Sequence, residues 1–199
     1  MPTPDPARRS EHARQAIIAA AFELCAERGF AATTIEAIAA RAGVGKTTIY
    51  RWWPSKAAIL AEGVEIQRDA SATFPDTGDI WTDLATQTGN VTRLFDTEFG
   101  AIWRGLIAAA QTEEYAADSV RRILRGSIDA ALARLAGARD AGQLRPDLDL
   151  ELTVELIYGP LYHAWLLRTR PFPPSYMQSV LTALKPALAP APEPAPAHD

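Results

Sequence analysis

The sequence predicts an all-α fold: an N-terminal three-helix helix-turn-helix unit followed by a larger C-terminal helical body. Three observations carry this expectation. Ala, Leu, Arg and Glu dominate between the ends and no alternating β-branched run occurs. Apolar residues recur at helical spacing along most of the chain. Of the 15 prolines, three fall in residues 2–6 and five in residues 186–196, which marks 1–7 and 189–199 as extended or disordered tails and leaves the middle largely uninterrupted.

The first helix is expected from about Ser10 to Arg28. Ser10 is a good N-cap, Glu11 favours the positive helix end and Gly29 stops the run. Ala13, Ile17, Ala20, Ala21, Leu24 and Cys25 share one arc, so Cys25 reads as a small core residue. A short second helix follows, with Thr33 and Glu36 spaced as a capping box, Ile35, Ile38 and Ala39 as its apolar face, and Gly43 as its end. After Gly43-Val44-Gly45 a third helix spans Lys46 to Arg51, and Ser55 caps a fourth. Further helices are expected at about 56–72, 80–94, 99–111, 114–141, 149–168 and 174–188. In the long one, Val120, Ile123, Leu124, Ser127, Ala131, Leu135 and Ala138 share a face. The helix at 149–168 is apolar nearly all round, which predicts burial on more than one side, and Gly159-Pro160 predicts a kink or break near residue 158. Together with Met177, Val180, Leu181, Leu184 and Leu188 of the last helix it suggests a subunit interface, with His163 buried or at that interface.

The formal net charge of −4 argues against coating nucleic acid by bulk charge, but its distribution is uneven. Residues 1–60 hold eight Lys/Arg against five acids, net +3; the remainder holds 12 against 19, net −7. No acid occurs from Ala37 to Ala61, a window that contains Arg41, Lys46, Arg51 and Lys56. A short helix, a glycine turn and a second short helix with basic and hydroxyl residues at its start suit a reader that enters the DNA major groove by that helix's N-terminus. Lys46, Thr47 and Thr48 would meet base edges or phosphates, Ile49 would pack back on Ile38 and Val44, and Tyr50, Arg51 and Lys56 would hold the backbone. Domains are therefore expected at 8–60 and 61–188.

The run from Gly29 to Lys56, GFAATTIEAIAARAGVGKTTIYRWWPSK, closely resembles the N-terminal signature of the tetracycline-repressor (TetR) family. That resemblance implies a homodimeric, ligand-responsive transcriptional regulator on double-stranded operator DNA. It implies Thr33 or Thr34, Tyr50 and Lys56 as phosphate contacts and Gly45 to Thr48 as base-reading positions. Trp53 falls where the family places a packing aromatic; Trp52 stands where a histidine or other polar residue is common. Beyond about residue 60 the resemblance is one of helix order and length alone.

Other classes fare worse. Gly45-Lys46-Thr47 looks like the end of a phosphate-binding loop, but that motif needs glycine at position 40, which is alanine, and a preceding strand. No Gly-x-Ser-x-Gly elbow occurs, so an enzyme is not expected; a helical small-molecule-binding protein or enzyme without DNA-binding activity is the competing reading. One cysteine and three scattered histidines (His12, His163, His198) offer neither a disulfide framework nor a metal cluster, and no cofactor is expected. The longest uncharged apolar stretch, Leu156 to Leu167, falls short of the roughly 20 residues of a membrane span. With no secretory signal, a cytoplasmic location is expected. In the acidic segment, Phe99, Trp103 and Leu106 share one helix face and Tyr158, Tyr162 and Trp165 another; they would either form an aromatic core or line a site for an apolar or aromatic effector.

Overall fold

A computed structural model describes residues 6–71, 74–170, 172–173 and 175–191. Among these, all regular structure is helical: α1 (Pro6–Ala32), α2 (Ile35–Ala42), α3 (Lys46–Tyr50), α4 (Lys56–Ser71), α5 (Ile80–Phe95), α6 (Glu98–Ala109), α7 (Glu114–Asp140), α8 (Leu150–Leu167) and α9 (Tyr176–Leu188). Helix α1 begins earlier than Ser10, so Pro6 and Ala7 are helical rather than part of a tail; the remaining tail positions 1–5 and 192–199 lie outside the described residues. The expected stop at Gly29 is a break within α1, where φ is 81° and ψ 165°, a conformation that glycine adopts without Cβ strain.

The helices fall into two compact units. Among the described residues, the first comprises those up to Ser71 together with Leu94–Arg125; the second comprises the others. Helix α6 thus belongs with α1–α4. In the first unit α1 packs on α2, α4 and α6, and α3 packs on α2; the buried side chains there are Ile17, Ala20, Ala21, Leu24 and Cys25 of α1, Ile38 and Ala39 of α2, Ile49 of α3, Ala57–Ala61 of α4 and Phe99, Ile102, Trp103 and Leu106 of α6. Burial pushes the Cys25 thiol up to about 11, as suits a core residue and not a nucleophile. Close approach is enforced by glycines: a Cβ on Gly63 of α4 would lie 2.1 Å from the Phe22 ring, and one on Gly105 of α6 would lie 2.5 Å from the Cβ of Phe30.

The second unit is built on Ile80, Leu84, Ala131, Leu135, Ala138, Leu144, Val154, Ile157, Leu181 and Leu188. The predicted stripe on α7 holds at Ile123, Ala131, Leu135 and Ala138, but Ser127 is exposed and Ile128 turns inward instead. Asp83 is fully buried and matched by the nearly buried Arg134, whose Nε donates to it at 3.0 Å; the Thr77 hydroxyl donates at 2.7 Å and its amide at 3.0 Å. Gln143 ties the two loops together, accepting from the Ile80 amide at 2.7 Å and donating to the Gly78 carbonyl at 2.9 Å.

Helix α8 starts on Asp149, whose carboxylate accepts from the Leu152 amide at 3.1 Å. Of the kink or break expected near residue 158, the break does not occur: α8 continues through Pro160. Gly159 lacks the Cβ that disfavours helical backbone before proline, and the burial of Ile157, Leu161, Ala164 and Trp165 offsets the one missing hydrogen bond. Nor is α8 buried all round within this chain. Leu152, Leu156 and Leu167 are 51%, 44% and 62% exposed, and Gly159 and His163 lie exposed on the same side.

Candidate nucleic-acid interface

Helix α2 is capped by Thr34, not by Thr33: the Thr34 hydroxyl accepts from the Ala37 amide at 3.2 Å. Thr33 is fully buried and its hydroxyl donates to the Gly29 carbonyl at 2.9 Å, which secures the kinked end of α1. Helix α2 ends on Gly43 in the left-handed region (φ 67°), with the Val44 amide donating to the Ala39 carbonyl at 3.0 Å. The chain then turns directly into α3 through Gly45, whose backbone is extended and whose surroundings are open, with no atom beyond its own chain neighbours within 4 Å of where a Cβ would stand. Backbone amides at the start of α3 receive no side-chain cap.

This turn presents α3 by one face. Ile49 is fully buried, Thr48 half-buried, and Lys46 and Thr47 exposed, as are Tyr50 (55%) and Arg51. A positively charged and hydroxyl-bearing surface on a rigidly packed short helix can place donors against phosphate oxygens and base edges.

The four cations of the acid-free window are not equivalent. Arg41 donates to both carboxylate oxygens of Glu27 at 2.9 Å and to Glu23 at 3.1 Å, reaching back to α1. The hydrogen bonds that Arg41 donates hold the Glu27 carboxyl below its usual range, and in accepting them Glu27 and Glu23 raise Arg41 in turn. Lys46 pairs with Glu36 at 3.2 Å, with both groups well exposed; the Glu36 carboxyl is lowered first by its own backbone amide and then by Lys46. Lys56 donates to the carbonyls of Phe30 (2.7 Å), Thr33 (2.9 Å) and Ala31 (3.2 Å), and its ammonium stands 4.5 Å from the Phe30 ring centroid. All three of its donors are spent on the α1–α2 connection. Arg51 lies 5.0 Å from the Trp52 ring centroid and has no carboxylate partner among the described residues.

Of the expected DNA-facing residues, then, Thr34, Gly45, Lys46, Thr47, Tyr50 and Arg51 are brought to the exposed surface and Thr48 stands at its edge. Arg41 is exposed as well but is engaged by Glu27 and Glu23, while the buried Thr33 and the half-buried Lys56 bond to backbone carbonyls of the same unit. Three further residues that the sequence did not single out support it. Phe30 carries the Lys56 contact. Glu62 accepts from the buried Trp53 indole at 2.8 Å and pairs with Arg14. The one signal for Glu62 was that a buried indole N–H needs an acceptor.

The aromatic residues expected to form a core or a site divide between the two units. Phe99, Trp103 and Leu106 are buried in the first, where Phe99 stacks on Phe95 with ring centroids 6.3 Å apart. Tyr158, Tyr162 and Trp165 belong to the second: Tyr162 meets Trp165 edge-on at 6.0 Å, and the Tyr158 hydroxyl donates to Gln87 at 2.7 Å. Burial raises the Tyr158 hydroxyl well above its ordinary value, so it acts as a neutral donor. No helix among the described residues is long and apolar enough to cross a membrane.

Comparison with known proteins bears on both parts of the chain. Residues 17–62 match the family model for bacterial regulatory proteins of the tetR family, and residues 74–184 match that for the tetracyclin repressor-like C-terminal domain. The chain is 35% identical over 179 residues to YdeS of Bacillus subtilis, described as an uncharacterized HTH-type transcriptional regulator, covering 89% of this chain and 90% of that one. It is 30% identical over 161 residues to the DNA-binding transcriptional repressor TetR of Mycobacteroides abscessus, covering 78% and 83% respectively. Among solved structures, the TetR family transcription regulator SCO0332 superposes with a TM-score of 0.74 at 35% identity, covering 89% of this chain and 99% of that one.

Proposed function

Because the chain belongs to the TetR family of bacterial regulatory proteins, we propose that it is a homodimeric repressor of transcription that binds a palindromic operator and is released by a small apolar or aromatic effector. The observation that carries this reading is the surface of α3, where Lys46, Thr47, Tyr50 and Arg51 stand exposed on a helix anchored by the fully buried Ile49. Lys46 and Thr47, with Thr48 and Gly45, read base edges; Thr34, Tyr50 and Arg51 hold the phosphate backbone.

Dimerisation is supported by the exposed stripe Leu152, Leu156, Gly159, His163 and Leu167 on α8, beside which α9 packs with Val180 half-exposed and Ala183 exposed. A run of leucines in water at this spacing is a surface that a second copy covers. The dimer sets two α3 helices one DNA turn, about 34–36 Å, or a multiple of it apart. An effector held among the aromatic residues of the regulatory helices lowers operator affinity by favouring a conformation with another spacing.

Selection of purified full-length protein on a random-sequence duplex library tests the reading. Enrichment of an inverted repeat is expected, and a library that stays unenriched at low salt refutes operator binding.

A further inference from the structure

Trp52 has no part in the proposed function, yet it holds the one reader cation without a carboxylate or carbonyl partner among the described residues. Arg51 ends α3, where the chain leaves the helix, and its side chain is exposed. Its guanidinium lies 5.0 Å from the centroid of the Trp52 ring, within reach of the ring's negative face. Trp52 in turn meets Trp53 edge-on, with centroids 5.4 Å apart and planes at 90°. Trp53 is buried, and its indole donates to Glu62 of α4, which pairs with Arg14 of α1. The backbone repeats this anchoring, since the amides of Trp52 and Trp53 both donate to the Ile49 carbonyl at 2.9 Å. Exposed Arg51 is therefore tied, through two indole rings, to the core of the three-helix unit.

An exposed arginine ordinarily samples many rotamers, and fixing it on a phosphate costs that freedom. A ring that already holds the guanidinium removes part of the cost. The other cations are occupied before DNA arrives: Arg41 by Glu27 and Glu23, Lys46 by Glu36, Lys56 by three carbonyls. We propose that Trp52 is a positioning residue that pre-orients Arg51 toward the DNA backbone, and that Arg51 is the standing phosphate anchor of the reader. This rests on the DNA-binding reading above.

The test measures binding of the full chain to random-sequence duplex DNA by fluorescence anisotropy over a range of salt. Wild type is compared with Arg51→Ala, Trp52→Leu, Trp52→Phe and the Arg51→Ala/Trp52→Leu double variant. Arg51→Ala is expected to reduce the salt slope by about one unit. Trp52→Leu is expected to weaken binding by about two- to fivefold, the scale of an exposed cation–π contact, while Trp52→Phe, which keeps a ring face, restores most of it. In the Arg51→Ala background Trp52→Leu should cost nothing further. An equal loss in both backgrounds, or a Trp52→Phe variant as weak as Trp52→Leu, overturns the positioning role. An unchanged slope for Arg51→Ala overturns the anchor. If wild type itself does not bind duplex DNA, the functional reading fails instead, so the two failures are distinct.

Discussion

Lys56→Met removes an ammonium and keeps most of its stem. Three N–H donors are lost from the carbonyls of Phe30, Thr33 and Ala31, at 2.7, 2.9 and 3.2 Å. The bonds to Phe30 and Thr33 are part-buried and that to Ala31 is exposed, so water replaces the ammonium well only at Ala31. A hydrogen bond to a charged group contributes about 1.5–3 kcal/mol. Two such bonds from one shared donor add incompletely, so the expected loss is about 2–4 kcal/mol. For a chain of this size that lowers the melting temperature by on the order of 5–15 °C. Thermal melts followed by far-UV circular dichroism measure it. Because all three donors are spent inside the protein, the salt slope for non-specific duplex DNA, taken well below the melting range, should match wild type. A melting temperature that stays put while the slope falls by about one unit would show that Lys56 serves phosphates and would refute the reasoning.

Three other perturbations separate frame from surface. Asp83→Asn leaves Arg134 with the exposed Asp76, 3.3 Å away, as its remaining carboxylate and should cost about 3 kcal/mol at neutral pH, the lower end of the cost of breaking a buried pair. Burial alone would raise the Asp83 carboxyl, but Thr77 and Arg134 outweigh it and hold the group low. Its contribution is therefore complete above the unfolded value, about 3.9, and is lost as pH falls through the lower folded one; the gap between wild type and variant in denaturant melts should narrow below about pH 4 and stay level from pH 6 to 8. Glu36→Gln removes the carboxylate 3.2 Å from Lys46. It should raise affinity for non-specific duplex by about fivefold at low salt, a gain screened out at high salt, and an anisotropy titration showing no gain counts against a Lys46 that faces DNA. Leu156→Glu places a charge on the exposed stripe of α8. Sedimentation velocity should show a monomer with retained helix content, whereas a dimer of wild-type size would move the interface elsewhere.

Helix positions were legible because glycines, caps and prolines punctuate the chain: the predicted ends from 56 to 188 fall within two residues of α4 to α9. Tertiary partners were not. Thr33 and Thr34 both offer a hydroxyl near the start of α2, and the spacing to Glu36 favoured the first; the kink at Gly29 turns that hydroxyl back on α1 and leaves the cap to Thr34. Counting acids by sequence window left Arg41 and Lys56 looking free. Packing of α2 against α1 brings Glu27 and Glu23 from 14 and 18 positions away, and the partners of Lys56 are backbone carbonyls, which no charge count includes. Pro160 was read by its local cost alone, without the buried residues that keep α8 continuous through it. The grouping of α6 with the N-terminal helices had no signal short of Gly105, whose missing Cβ admits Phe30.

Hydroxyl-radical footprinting on the selected duplex tests most directly whether two copies of this reader act together. Two protected patches related by a dyad are expected on one face of the DNA, centred about 10 base pairs or a multiple apart. Both should disappear with Leu156→Glu. A single asymmetric patch, or symmetric protection that survives in a monomeric variant, would contradict the account.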